Sequence, residues 1–332
     1  MIVALLIYLQ ERKIQPDKDK NKEYFSEIGN TLLEIEILQN IVRAMIVIDR
    51  ERGCCMIEMA FMKNLSAFRN FADIHLKETS PVCAGSVWKS DIRYYMIQEY
   101  RYYLIIKAIL KYFPEGLPSA IDLGCYPGDI GVLLRKIYGS SSKIYGCGLN
   151  FTDDFQTMAL NYYDKLLYTE LDPENPLGDK NTKTEIELPE KSVDLIVAGE
   201  IFEHLYNPLH FISECSRILS EKGIMILTTD NLKYIGNIFG LLRNKSPFSE
   251  LKNSHIFLKS EWRPHERLYF RDEIAELFRM YDLNVKEHFF FDNYYEKYEN
   301  LSFQSRINQS ICKMFYLIPS FRPRHFFVLG RG

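Results

Sequence analysis

Five short apolar runs alternate with helical segments between residues 120 and 228, and this rhythm limits the fold more than any other feature of the chain. Parallel strands joined by right-handed helical crossovers produce such an alternation, because each connection must return along the sheet. Two later apolar runs would complete the sheet. We therefore predict an α/β fold with a doubly wound, mainly parallel, seven-stranded sheet. The predicted strands are Ala120–Leu123, Lys143–Cys147, Leu166–Leu171, Val193–Ala198, Ile224–Thr228, Asn284–Phe290 and His325–Leu329.

The first part of the chain has a different pattern. Apolar side chains recur at helical spacing over residues 37–48, and a second helix is predicted over about residues 57–75. The stretch KETSPVCAGS, which begins at Lys77, has the proline and glycine content of a linker. We therefore predict an N-terminal helical extension, residues 1–85, followed by the α/β domain, residues 86–332.

A tyrosine-rich stretch precedes the first predicted strand. Its pattern predicts a helix from Asp91 to about Phe113, which Pro114 ends. We interpret its tyrosines as part of the core and of a lid over it.

The composition argues against several kinds of partner. A formal net charge of −3 gives no basic face, so nucleic acid is not expected. Seven cysteines without a C-x-x-C pair are typical of a reduced, cytoplasmic protein. The apolar start of the chain is shorter than the roughly 20 residues that span a bilayer, so no transmembrane segment is expected. We interpret it as a buried or interface helix, which leaves a homo-oligomer through the N-terminal helices open.

A glycine turn follows the first predicted strand in the sequence AIDLGCYPGDIG, Ala120–Gly131. Gly124 can make the sharp turn, Gly128 allows the backbone to approach a ligand, and Gly131 allows the next helix to pack closely on the strand. A dinucleotide-binding loop has the pattern G-x-G-x-x-G and an acid about 20 residues later. Tyr126 replaces a glycine of that pattern, and the second predicted strand ends without an acid. NAD and FAD are therefore disfavoured.

Four segments resemble class I S-adenosylmethionine-dependent methyltransferases. DLGCYPG, from Asp122, resembles the first motif of that family, D-x-G-x-G-x-G. VDLIVAGEIFEHL, from Val193, resembles the fourth-strand motif of the small-molecule branch, which includes the ubiquinone-biosynthesis type O-methyltransferases. ISECSRILSEKGIMILTTDNL, from Ile212, and RPHERLYFRDEIAELFRMYDLNV, from Arg263, are similar to later segments of that branch. The resemblance implies a Rossmann-like methyltransferase fold and S-adenosyl-L-methionine as the cofactor.

The resemblance also implies which residues bind the cofactor. The glycine loop would hold its methionine end, with Asp122 facing the ammonium group. The family's acid for the ribose hydroxyls is replaced here by Gly148, and we expect Asn150 or Asp153 to compensate. Asp172 matches the acid that meets the adenine amino group, or else it is a turn residue. The predicted cofactor-binding residues are Asp122, Gly124, Cys125, Tyr126, Gly128, Asn150, Asp172 and Glu200.

The predicted catalytic residues are His204, Glu203 and His265. His204 lies just beyond the fourth predicted strand, and its ordinary pKa of about 6.5 suits a general base. Alternatively, His204 packs or caps at the start of a helix. The histidines do not show the spacing of a zinc site, so no metal is expected.

The resemblance implies a methyl acceptor that is a small molecule, a sugar or a lipid intermediate, methylated on oxygen. An alternative is a catalytically inactive methyltransferase-like binding protein. Gly148 and Tyr126 favour that alternative, because both depart from the family pattern.

Overall fold

The computed structural model describes residues 64–76, 93–149, 151–175, 181–248, 263–292 and 312–332. All of them belong to Glu58–Gly332, the second of two units into which the chain divides. Most of the predicted extension, the predicted linker and Asn150 lie outside the described residues, so the expectations for them stay predictions.

Seven strands form one sheet. They are β1 Ser119–Leu123, β2 Lys143–Gly148, β3 Lys165–Tyr168, β4 Val193–Gly199, β5 Leu219–Asp230, β6 Leu283–Phe291 and β7 Arg324–Arg331. Their order is β3-β2-β1-β4-β5-β7-β6. Strands β1 to β5 run parallel, whereas β7 runs antiparallel to both of its neighbours. The predicted doubly wound, mainly parallel sheet is confirmed.

Two strands have an end that lies three or more residues from its predicted position. β5 begins at Leu219 rather than Ile224, because Leu219 pairs with Val193 across a register shift in β4. β3 ends at Tyr168 rather than Leu171. Leu171 is apolar because it is buried in the core beyond the strand, not because it pairs in the sheet.

Helices cover both faces of the sheet, and the side chains of each strand alternate between two cores. Ala120 of β1 and Leu195 of β4 face one core, whereas Ile121 and Ile196 face the other. This alternation is the two-residue period of a strand that is buried on both faces. None of the described helices combines the length and apolarity that a membrane span requires. The helices are α1 Leu65–His75, α2 Arg93–Tyr112, α3 Asp129–Tyr138, α4 Asp153–Ala159, α5 Pro208–Ile218, α6 Ile235–Leu241 and α7 Arg271–Arg279.

Helix α1 belongs to the stretch predicted as the N-terminal extension. Asn64 caps it, since its side chain accepts a hydrogen bond of 2.9 Å from the Ser66 amide. Phe68 and Ala72 are fully buried in the core that α2 and α3 share. Part of the stretch therefore packs into this core, while a domain boundary at residue 85 stays a prediction.

The hydroxyl of Tyr163 connects the end of β1 to the start of α3. It donates a hydrogen bond of 2.7 Å to Asp122 Oδ2 and accepts one of 3.1 Å from the Gly131 amide. A methyl group on Gly131 would lie 2.1 Å from the Tyr163 ring. Only glycine therefore allows α3 to lie this close to the tyrosine.

We expect Gly131→Ala to lower the free energy of unfolding by about 1–3 kcal/mol, because the added methyl group overpacks the buried tyrosine ring. Gly240→Ala is the matched control. It also lies in a helix, and its added methyl group would meet its nearest neighbour at 3.7 Å, an ordinary contact. Urea denaturation of both variants measures the difference. Equal stability of Gly131→Ala and the wild type would contradict the packing described here.

Candidate functional site

A cavity of about 180 Å³ opens at the carboxyl ends of β1, β2 and β4. Ligands of open α/β sheets bind at this edge, where the strand order reverses. The glycine loop lines the cavity from Asp122 to Pro127, with Gly124, Cys125 and Tyr126 between them. The other predicted residues on the wall are Glu200 and His204.

Two glycines of the loop have positive φ angles. Gly124 has φ +70°, and its amide donates a hydrogen bond of 2.9 Å to the carbonyl of Cys147 in β2. Gly128 has φ +102° and precedes α3. A methyl group on Gly128 would lie 2.9 Å from Met158, so this glycine approaches α4 and is not part of the cavity wall. The Tyr126 ring packs on Phe155, with ring centroids 5.3 Å apart.

Asp122 is a buried carboxylate on the cavity wall. Burial raises its pKa to about 7, against the opposing effect of the Tyr163 hydrogen bond. The charge of Asp129 adds to the rise, whereas that of Arg101 counteracts it. Among the described residues, Asp122 forms no direct ion pair. A cationic ligand group in the cavity would therefore stabilise its charged form.

The thiol of Cys125 also lies on the wall, next to Asp122 in the loop. Burial raises the pKa of this thiol well above its ordinary value, and the charge of Asp122 adds to the effect. Cys125 is therefore a neutral, apolar part of the wall rather than a nucleophile.

Arg101 is a cavity residue that the sequence analysis missed. It lies on α2, is 4% exposed, and has its Nη1 3.6 Å from Glu200 Oε2. Glu200 leaves β4 with φ +58°, and its carboxylate also contacts Arg324 of β7. The sequence around Arg101, EYRYY, gave no signal because the tyrosines indicated a core helix. Only the packing of α2 over the sheet brings this guanidinium to the cavity.

The end of β2 explains the missing acid at Gly148. A methyl group on Gly148 would lie 3.0 Å from the Phe151 ring, which itself lines the cavity. A side chain at this position would therefore require the Phe151 ring to shift. Asp153, one of the two expected replacements, is exposed on α4 and does not line the cavity.

Asp172 is fully buried but is bound by the protein itself. Its oxygens accept hydrogen bonds from the amides of Tyr206 (2.7 Å) and Asn207 (3.0 Å). It is not on the cavity wall, whereas Thr169 and Glu170 of the same segment are. The geometry supports the turn role of Asp172 more than an adenine contact.

The three predicted catalytic residues lie close together, and one of them, His204, is on the cavity wall. Its Nδ1 is 3.1 Å from the carbonyl oxygen of Pro264. A carbonyl only accepts, so Nδ1 carries the hydrogen and Nε2 the lone pair. Burial, followed by the charge of His265, lowers the pKa of His204 to about 4. The His204 ring is therefore neutral near pH 7.

Glu203 and His265 lie close to His204 but are not on the cavity wall. Burial and the charge of Asp230 raise the pKa of Glu203 to about 7, although His265 and a hydrogen bond from Thr229 act in the opposite direction. Burial lowers the pKa of His265, but its hydrogen bond to Asp230 and the nearby carboxylates outweigh burial and raise it overall. The rings of His204 and His265 meet edge to face, with centroids 4.6 Å apart.

Comparison with known proteins places these features in a family. The model of a methyltransferase domain matches residues 97–288, more than half of the chain. A protein of Mycolicibacterium smegmatis named as a probable S-adenosylmethionine-dependent methyltransferase is 40% identical over 47 residues, which are 14% of this chain and 18% of that protein. A protein of the same description from Mycobacterium tuberculosis is 38% identical over 47 residues, 14% of this chain and 17% of that protein.

A solved S-adenosylmethionine-dependent methyltransferase from Aquifex aeolicus aligns with part of the chain. The alignment covers 68% of this chain and 88% of that protein, at 15% identity and a TM-score of 0.40. The two mycobacterial relatives are matched over less than a fifth of their length. None of these comparisons shows a particular relation to the ubiquinone-biosynthesis branch. The family model and the order of the sheet agree, and the chain belongs to the methyltransferase-domain family of class I, S-adenosylmethionine-dependent methyltransferases.

Proposed function

We propose that this chain transfers the methyl group of S-adenosylmethionine to an oxygen atom of a small molecule, a sugar or a lipid intermediate. One observation carries the proposal: a single cavity is lined both by the glycine loop after β1 and by His204 after β4. The first is suited to a cofactor and the second to the group that receives the methyl.

The cofactor end of the cavity offers groups of both signs. Asp122 lacks an ion pair among the described residues and suits the ammonium group of the cofactor's methionine part. The carboxylate of that part has two kinds of partner: the amides at the start of α3, which favour anions, and the guanidinium of Arg101. These partners support the proposed orientation of the cofactor.

Methyl transfer is an in-line displacement at a sulfonium, so catalysis depends chiefly on holding the acceptor in line and on excluding water. The neutral His204 supports this step, because its Nε2 lone pair can accept the hydrogen of an acceptor hydroxyl. A pKa of about 4 makes this imidazole a weak base. The main contribution of His204 is therefore to orient the hydroxyl. His265 packs edge to face against the His204 ring.

The inactive-protein alternative was favoured by Gly148 and Tyr126. Both residues line the cavity, and a side chain at Gly148 would require the Phe151 ring to shift. Packing of Tyr126 on Phe155 and of Phe151 against Gly148 supports a structural reason for the two departures instead of decay of the site. We therefore do not propose the alternative.

Binding of S-adenosylhomocysteine should depend on pH through Asp122. Since the pKa of this carboxyl is about 7, it loses its charge as the pH falls, and the ammonium group loses its partner. We expect the affinity to fall about tenfold between about pH 8 and about pH 6, which corresponds to about 1.4 kcal/mol. Isothermal titration calorimetry across this range measures the change.

The Asp122→Asn variant should bind more weakly at about pH 8 and should show no such dependence. Asp154→Asn, an exposed change on α4, is the control and should titrate like the wild type. An affinity that neither pH nor Asp122→Asn alters would show that the ammonium group does not bind at Asp122.

His204→Gln should lower methyl transfer by about 100-fold, as expected when the group that orients the acceptor hydroxyl is replaced, and leave S-adenosylhomocysteine affinity nearly unchanged. His210→Gln is the control. This histidine lies on α5, contacts the carbonyl of Thr184 and is not on the cavity wall. The assay follows radiolabelled methyl transfer to an acceptor found by screening hydroxylated metabolites and lipid extracts. A loss below about threefold in His204→Gln would assign His204 to packing alone.

A further inference from the structure

Five side chains with metal-binding atoms lie together beyond the ends of β4 and β5. Glu203, His204 and His265 each have one such atom, and these atoms lie within 4.8 Å of one another. Glu200, Glu203 and Asp230 form a second set of the same size. Glu203 is common to both sets.

The carboxylate of Glu203 has an oxygen without a partner. The side chain is 1% exposed, and its Oε2 accepts a hydrogen bond of 2.7 Å from the Thr229 hydroxyl. Its Oε1 is buried and has no hydrogen-bond partner among the described residues. Leaving a buried acceptor unpaired is costly, and an ion is one of the few explanations for such an atom in a folded protein.

The three carboxylates of the second set are not equivalent. Arg324 contacts Glu200 and has its Nε 3.8 Å from Asp230 Oδ1. Glu203 has no ion pair with an arginine or lysine among the described residues. A cation is therefore needed most at Glu203, which favours the set that contains the two histidines.

Both histidines have the hydrogen-bonding pattern of metal ligands. His204 Nδ1 is 3.1 Å from the Pro264 carbonyl, and His265 Nδ1 is 3.1 Å from Asp230 Oδ2. Each Nδ1–H faces an oxygen that accepts, which leaves Nε2 as the lone-pair nitrogen of the neutral ring. Histidines that bind metals typically donate their other N–H to a carbonyl or a carboxylate in this way.

We propose that Glu203, His204 and His265 bind one divalent transition-metal ion, in contrast to the sequence expectation of no metal. Two imidazoles and one carboxylate suit Zn²⁺ or Mn²⁺ better than Mg²⁺ or Ca²⁺, which prefer all-oxygen sites. His204 lies on the cavity wall, so the proposed metal site adjoins the cavity. This inference rests on the proposed function for its role: once the ion is bound to Nε2 of His204, the charge of the ion, rather than that lone pair, attracts the oxygen of the acceptor hydroxyl.

Titration of chelator-treated, full-length protein with Mn²⁺, followed by electron paramagnetic resonance of the free ion, tests the site. We expect one Mn²⁺ per chain and competition by Zn²⁺. Glu203→Gln keeps the shape and the Thr229 contact but removes the charge, and His204→Gln removes a nitrogen ligand. Each variant should weaken Mn²⁺ binding about tenfold or more, equivalent to at least about 1.4 kcal/mol.

Glu214→Gln is the matched control, because Glu214 is another buried glutamate and already has an ion-pair partner, Arg217 on α5. It should bind Mn²⁺ like the wild type. The proposal would be overturned if the wild type showed no saturable Mn²⁺ binding, or if Glu203→Gln and His204→Gln both bound Mn²⁺ as tightly as the wild type. The wild-type titration decides the matter even if a variant does not fold.

S-adenosylhomocysteine titrations on the same samples separate the two proposals. Cofactor binding without Mn²⁺ binding would overturn the metal site and leave the methyltransferase proposal standing. Mn²⁺ binding without cofactor binding would support the metal site and overturn the methyltransferase proposal.

Discussion

The hydroxyl group of Tyr163 links the two elements on which the site depends. It donates to Asp122 at the end of β1 and accepts from Gly131 in α3, so strand and helix are held at one separation. The turn between them must then close over a short distance, which it does with left-handed backbone at Gly124 and Gly128. The same bond holds the buried carboxylate of Asp122 in one orientation before any ligand arrives. The Tyr163 hydroxyl therefore both fixes the packing of α3 and positions a residue of the candidate site.

Charge balance around the cavity is the second constraint. Arg263 binds Glu170 through two hydrogen bonds, and Arg101 lies near Glu200, so two of the acidic side chains on the wall face a guanidinium. Asp122 does not. A pocket that pairs Glu170 and Glu200 with guanidinium groups, and in which the Asp122 carboxylate has no ion pair among the described residues, is complementary to a cationic ligand group. The ammonium and sulfonium of S-adenosylmethionine both satisfy that requirement.

The sheet and the glycine loop could be predicted from the sequence. Strands that are buried on both faces are continuous apolar runs, and the glycine turn has a local pattern. The residues that the sequence misjudged or missed depend on packing between distant segments. Arg101 lies among tyrosines, and Arg324 is a strand residue far along the chain, yet both reach Glu200. The Phe151 ring over Gly148 and the amides that bind Asp172 likewise have no signal in their own neighbourhood.

A crystal structure of the protein grown with S-adenosylhomocysteine would show whether Asp122 binds the ammonium group of the cofactor. We expect the ligand's amino group to donate to the Asp122 carboxylate, while Tyr163 keeps its own hydrogen bond to the same side chain. We also expect the sulfur on the side of the cavity that His204 lines. A fully occupied ligand whose amino group lies away from Asp122, or a cavity that stays empty at saturating ligand, would contradict the proposed role of Asp122.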